Sequence, residues 1–537
     1  MVLTLLFAAC TGMPVDSADP SPTDSGTGDS ADSGDTGDTG DTPSRCDELG
    51  LAERPWDPSG VTAAFDEVVP DLTLIGLDEL PITLSELWSG CESVAFVVLR
   101  ADYPSLNTKM EIRTWMEGAP PTTHWVFMVD DGSEAARVAQ LDAFRAEISA
   151  IADNDAESEA FWASHAHFSP EKFSNNDTWI DEIEAAWDGY PLNLGVDRFQ
   201  RLREFGSLAD PATGWETVPA TFLNYEARHW AAEAVLQDRL DAQTATVIRA
   251  FDNTGERQVN LELPDAATMA TFDTLELDMR FICNGHPDTV GCGEWDYLAY
   301  AYHCDETDTC TEIARYITAY ARPGRWVVDA TPFLALLQSG GTHSFRVDSA
   351  NAPFITLDLR FSNQGRGTRP LGIEYLYSGG SFNESYNTTR EPHTFTPPEG
   401  TTRVEVMALI TGHGYGKDVA NCAEFCNHEH EFTVNGAESW TLDFPEADIL
   451  YGCADQIEAG TVPNQYGTWI LGRGGWCPGK QVDPWSADIT AAVDLAGPNE
   501  LVYRGLYRGV DYVPEPYDSG SGFGAGIVAN TWLVYWQ

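Results

Sequence analysis

Four pairs of closely spaced cysteines in the second half of the chain constrain its fold more than any other feature. Cys283 and Cys292, Cys304 and Cys310, Cys422 and Cys426, and Cys453 and Cys477 are near neighbours, and Cys46 and Cys91 are left to pair together. Local pairing of this kind suits an oxidising compartment, although spacing alone leaves many connectivities open. Zinc is the rival for clustered thiols, but no C-x-x-C occurs and no histidines stand at a matching distance. Neither a metal nor a cofactor is expected.

The eleventh cysteine, Cys10, follows the apolar run Val2–Ala9, and Phe7-Ala8-Ala9-Cys10 resembles a bacterial lipoprotein cleavage site. Residues 1–10 are therefore expected to be a lipoprotein-type signal with Cys10 lipidated, though the run is short and no Lys or Arg precedes it. No other stretch approaches the roughly 20 apolar residues of a spanning helix, so membrane contact is expected through this anchor only. The expected location is outside the cytoplasm, as an outer-membrane lipoprotein or a secreted protein.

Residues 11–45 are almost all Asp, Ser, Thr, Gly and Pro, a composition that buries nothing and repels itself. They read as a disordered acidic linker. Their repeated Asp lacks the terminal Glu and ordered ligand spacing of a calcium loop. The whole chain carries 84 acidic against 30 basic residues, a formal charge of -54, which excludes nucleic acid as a natural partner.

Between 46 and 243 strand and helix signals mix. Val94–Leu99 and Trp125–Val129 are continuous apolar runs of the buried-strand kind, while Ser133–Ala152 and Thr178–Trp187 read as helices. This alternation predicts an α/β domain. Val69–Leu74 followed by Leu84–Leu87 resembles the opening of thioredoxin-like, peroxiredoxin-type folds, and Val218–Leu223 resembles the strand after that fold's cis-proline. Arg100-Ala101-Asp102-Tyr103-Pro104 stands where the dithiol would fall, so such a domain would be redox-inactive.

From Thr244 short runs such as Thr274–Met279 and Phe354–Leu359 alternate apolar and polar residues between Gly, Asn, Asp and Pro clusters. That is the pattern of antiparallel sandwiches, and the length exceeds one small sandwich. The chain is thus expected to be multidomain, with the α/β domain followed by two all-β jelly rolls at 244–380 and 381–537.

Three motifs in this half set carboxylates and aromatics beside cysteines: Cys292-Gly293-Glu294-Trp295-Asp296, Cys422-Ala423-Glu424-Phe425-Cys426, and Arg473-Gly474-Gly475-Trp476-Cys477-Pro478-Gly479. A disulfide closing a short loop would hold a carboxylate with little freedom. Amide hydrolysis needs an aimed water, a protonated leaving nitrogen and a stabilised oxyanion. Asp296 and Glu424 can share a water, Arg473 offers a fixed fork of donors, and Trp295 and Trp476 offer faces on which sugars stack.

Carrying these motifs, residues 244–537 resemble the peptide-N-glycosidase F family, with Phe425 where the family has Trp. The resemblance implies a glycosylasparagine amidase. Asp296 would be the principal catalytic carboxylate, Glu424 the second and Asp348 a third, where the family has Glu. Glu294, Trp295, Arg473, Trp476 and His413 would contact or position substrate. His413 and Ala350 replace family tryptophans, which bears on glycan specificity. The implied partner is an N-glycoprotein or glycopeptide, and a monomer is expected.

Two rivals remain. The same double jelly-roll architecture serves copper monooxygenases, and His428-Glu429-His430 sets two imidazoles on one strand face; a surface strand is the blander reading. His165-Ala166-His167 is a similar pair with no acidic or thiol companion nearby in sequence. The second rival is a glycan-binding lipoprotein that has lost turnover.

Overall fold

Ser93–Leu99 and Thr123–Val129 are buried at every position, and they lie side by side in parallel register. A strand covered on both faces has no polar phase, which is why Val94–Leu99 and Trp125–Val129 are apolar throughout. The helix Lys109–Gly118 connects them, its start fixed by a capping box between Thr108 and Glu111. Ala166–Phe168 extends the sheet in parallel on one side, and Leu194–Val196 and Leu202–Glu204 extend it antiparallel on the other.

This computed structural model describes residues 45–61, 63–99, 106, 108–130, 132–153, 155–174, 176–186, 193–206, 221–283, 285, 292–351 and 354–537. Cys10 with the expected signal, the linker up to residue 44, Arg100–Pro104 and Val218–Ala220 lie outside those residues.

The expected helices run over Glu134–Ala152 and Trp179–Ala186. Thr221–Leu223, expected to be part of a strand, instead begins the helix Thr221–Ala242. Its buried residues Phe222, Tyr225, Glu226, His229, Trp230 and Ala234 recur at helical spacing, and that long period outweighs the β-like Thr-Phe-Leu triplet.

Two antiparallel sandwiches follow. In the first, Gly324–Asp329, Thr274–Ile282, Phe354–Ser362 and Ala245–Thr254 form one sheet, and Cys310–Ile317, Leu298–Cys304, Gly341–Ser349 and Gln258–Leu263 form the other. The second pairs a sheet of Pro370–Ser381, Phe523–Trp536, Arg403–Tyr415 and Trp485–Asp488 with one of His393–Phe395, Asn499–Tyr507, His428–Val434 and Glu438–Asp443. Setting aside the short Val510–Asp511, the first, eighth, third and sixth strands of each sandwich share one sheet, and the second, seventh, fourth and fifth share the other. This is the jelly-roll order.

The strand Pro370–Ser381 pairs with Phe523–Trp536, so a division after residue 380 falls inside a second-sandwich strand. The chain passes between the sandwiches at 363–369 instead. Thr274–Ile282 departs from simple alternation, because its polar phase is covered as well. Glu276 and Asp278 are buried and pair with Arg239 at 2.7 Å and Arg325 at 2.6 Å. Met407, Leu409, Trp532 and Val534 of the second sandwich join the core of the first.

Candidate active site

The loop carrying Asp296 is pinned from both sides. Tyr297 N–H donates to Thr318 Oγ1 at 2.8 Å, and the Trp295 carbonyl accepts from Thr318 Oγ1 at 2.8 Å and from Asn351 Nδ2. Ala321 N–H donates to the Gly293 carbonyl at 2.8 Å. The Cys283–Cys292 disulfide closes the loop's start. Asp296 is thereby held by the end of the first sandwich.

Glu424 lies inside the Cys422–Cys426 disulfide loop. Its N–H donates to the Gly414 carbonyl at 3.1 Å, and its own carbonyl accepts from Gly474 N–H at 2.7 Å. Gly414 has φ +104°, and a Cβ there would meet the Gly524 carbonyl oxygen at 2.5 Å, so only glycine serves.

Arg473 joins the two carboxylates. Its Nε donates to Glu424 Oε1 at 3.3 Å, and its Nη2 lies 3.8 Å from Asp296 Oδ2. Thr468 and Leu471 carbonyls accept from Nη1 at 3.2 and 2.7 Å, and Thr468 Oγ1 accepts from Nη2 at 3.0 Å. With the guanidinium buried and nearly saturated, the remaining N–H on Nη2 is the one facing Asp296. Burial pushes the Asp296 and Glu424 carboxyls above their ordinary range while Arg473 pulls both down, and the charge of Asp296 raises Glu424 further.

Tyr320, which the motifs did not single out, brings its phenol to the Asp296 side chain. Burial, and then Asp296 itself, push its phenol upward, so it stays a proton donor. Gln465 accepts from Tyr320 N–H at 2.8 Å and donates to the Pro478 carbonyl at 2.8 Å, tying the Asp296 side of the site to the Arg473 loop.

The aromatic residues divide. Trp295 is 57% exposed beside Asp296 and presents an open face, and the neighbouring Glu294 is exposed too. Trp476 does not: it is 7% exposed, donates Nε1–H to the Gly412 carbonyl at 2.7 Å, and lies against His413 at 5.1 Å and Arg473 at 4.8 Å. It is packing beneath the site rather than a sugar platform. Burial, together with Arg315, His428 and Arg473, depresses His413 to about 3, so it is a neutral imidazole.

Asp348 sits on Gly341–Ser349 opposite Tyr300, 3.3 Å from Arg346 and half exposed. Among the described residues it is not drawn into the Arg473 cluster.

His428 and His430 are in the core rather than on a surface strand. His428 Nδ1 lies 2.8 Å from His430 Nε2, and His430 Nδ1 lies 2.7 Å from Tyr503 Oη. Phe432 and Val434 share their strand phase and are buried with them, which marks that face as inward. His165 and His167 do have companions, Glu92 and His124. All five disulfides form with the partners that proximity suggested.

Residues 381–533 match the family model described as peptide-N-glycosidase F, C terminal. Over 250 residues the chain is 28% identical to the peptide-N(4)-(N-acetyl-beta-D-glucosaminyl)asparagine amidase F of Elizabethkingia miricola, covering 42% of this chain and 65% of that protein. The chain therefore spans slightly less than two thirds of that relative's length. Among solved structures, PNGase F from Flavobacterium meningosepticum is 18% identical, with 54% of this chain and 96% of that chain covered at a TM-score of 0.41. A second, of a peptide-N(4)-(N-acetyl-beta-D-glucosaminyl) asparagine amidase, is also 18% identical, with 54% and 96% covered at 0.44. The strand order, rather than these superpositions, carries the fold assignment.

Proposed function

We propose that the chain, whose residues 381–533 match the C-terminal model of the peptide-N-glycosidase F family, hydrolyses the side-chain amide linking an N-glycan to asparagine. The observation that carries this reading is the single buried guanidinium of Arg473 set between two buried carboxylates, Asp296 and Glu424.

Asp296 is the principal carboxylate of the proposed mechanism. It aims and deprotonates a water that attacks the asparagine Cγ, and the oxygen bonds as the C–N bond breaks. The proton passes to the departing nitrogen, leaving aspartate in the peptide and a glycosylamine that later loses ammonia. At 3.8 Å from Asp296 Oδ2, Nη2 makes an ion pair rather than a direct hydrogen bond, so its remaining N–H can turn to an oxygen of water or substrate beside the carboxylate. Glu424 orients that water or the first sugar, and Arg473 supports the developing oxyanion. The two carboxylates titrate as a pair. Trp295 offers the stacking face for sugar, with Glu294 and His413 at the margins of the substrate region. Asp348 acts from the periphery, if substrate draws it away from Arg346.

We read residues 46–243 as a thioredoxin-like domain. Two parallel strands joined by a helix, then an antiparallel pair and a long closing helix, support it. The paired cysteines support export, and lipidation at Cys10 is the route proposed for anchoring.

The test is glycan release from an N-glycoprotein that has been denatured, reduced and freed of reductant, with the full chain and its Asp296→Ala variant. Release by the wild type with asparagine converted to aspartate, and none by the variant, is expected. Binding of glycopeptide without release by the oxidised, folded wild type would favour the non-catalytic glycan-binding reading.

A further inference from the structure

A second buried cluster, sharing no residue with the candidate active site, lies in the α/β region. Glu92 immediately precedes Ser93–Leu99, His124 stands on Thr123–Val129, and His165 ends the helix Ala156–His165. All three are buried, and one ligand atom from each falls within 4.8 Å of the others. Glu92 Oε1 lies 3.2 Å from His165 Nε2, and Oε2 lies 3.3 Å from His124 Nε2.

The surroundings of the three side chains are those of a built site. His165 Nδ1 lies 2.9 Å from the Phe161 carbonyl and 2.8 Å from Ser164 Oγ, so it is engaged on the side away from Glu92 and Nε2 is the nitrogen turned to the carboxylate. Nε2 in turn faces a carboxylate oxygen at 3.2 Å. A proton or a metal ion can lie between each Nε2 and the carboxylate, and a metal ion can bridge all three side chains at once. The far nitrogen of the other ring is engaged as well, His124 Nδ1 lying 3.2 Å from His167 Nε2. Arg45 Nε and Ser89 Oγ donate to the Glu92 carboxylate at 3.0 and 3.2 Å. Rings whose far nitrogens are engaged, and a carboxylate braced from outside, are the surroundings that metal ligands have.

We propose that Glu92, His124 and His165 bind one divalent transition-metal ion of the zinc class. Two imidazoles and a carboxylate form a known three-ligand zinc set, with water in the fourth position. The two carboxylate–imidazole distances, 3.2 and 3.3 Å, are close to the edge of about 3.4 Å of a tetrahedron with legs of about 2.1 Å. Bound there, the ion ties the start of the central strand, one residue after Cys91 of the Cys46–Cys91 disulfide, to a neighbouring strand and a helix end. His167 acts as a positioning residue through His124.

The experiment strips the full wild-type chain with a chelator and titrates it with Zn²⁺ or Co²⁺ alone. One equivalent is expected to bind and to raise the thermal midpoint. X-ray absorption on the zinc form is expected to show imidazole nitrogen and carboxylate oxygen at about 2.0–2.2 Å with no sulfur. Glu92→Gln and His165→Ala should abolish stoichiometric binding, and His167→Ala should weaken it by about 10- to 100-fold. No binding by the folded wild type overturns the proposal, as does unchanged affinity in His165→Ala. Should the ligand variants fail to fold, the wild-type absorption spectrum decides alone, and a shell without imidazole overturns the proposal.

Discussion

Nε of Arg473 lies 3.3 Å from Oε1 of Glu424, a contact made by a guanidinium only 3% exposed. A buried cation in this position sets the charge of both carboxylates and cannot be replaced by a point charge. Arg473→Lys would lose the fork that reaches Thr468, Leu471, Glu424 and Asp296 together. We expect kcat/KM to fall by about 10²- to 10³-fold with folding preserved. Arg473→Met should in addition move the acidic limb of the pH profile upward, because the charge that pulls Asp296 and Glu424 down is gone. An unshifted limb would refute the electrostatic account.

Asp296 carries a cost as well as a role. Its folded pKa is raised by burial, so the native state holds its proton longer than the unfolded chain does. Native stability should therefore fall as pH rises from the ordinary carboxylate range through the raised value. Asp296→Asn removes that slope. The variant should be inactive yet gain stability relative to wild type between pH 3 and pH 7, read by thermal unfolding at each pH. A difference that does not change with pH would mean that burial is not what raises the group.

The disulfides separate stability from activity. Cys46–Cys91 spans 45 residues and Cys422–Cys426 spans 4. Chain entropy then assigns about 4 kcal/mol to the long loop and about 2 kcal/mol to the short one. Replacing Cys46 and Cys91 by serine should lower the denaturation midpoint more but leave turnover intact. Replacing Cys422 and Cys426 should lower it less and abolish turnover, since Glu424 loses its frame.

Trp295 and Trp476 should also part company. Trp295→Ala is expected to raise KM with little change in stability, because the ring is open to solvent. Trp476→Ala removes a packed ring and the Nε1 bond to Gly412, and should cost about 3–5 kcal/mol. Denaturant titration beside steady-state kinetics distinguishes the two.

What the sequence made legible was local. Alternation after Thr244 and the short cysteine spacings announced the sandwiches and brought Asp296, Glu424 and Arg473 into one hypothesis. Tyr320 and Gln465 carried no such mark, being single loop residues joined across 145 positions. Glu92 was hidden from His165 in the same way, 73 residues upstream. His428 and His430 were read without the hydrophobic phase of Phe432 and Val434, which would have placed them inside. Trp476 looked like a platform because composition cannot say which face of a ring is covered.

The helix Thr221–Ala242 does more than close its own sheet. Glu226 pairs with Arg322 at 2.8 Å, the Phe222 carbonyl accepts from Asn464 Nδ2 at 2.9 Å, and Phe222 and Tyr225 pack edge-on against Trp469. Trp469 follows Thr468, whose hydroxyl and carbonyl hold Arg473. A fragment starting at residue 244 would therefore bare Trp469 to water and loosen the hinge on which the guanidinium hangs. Crystallographers and enzyme engineers who trim the chain to its sandwiches would be removing the back wall of its reactive centre.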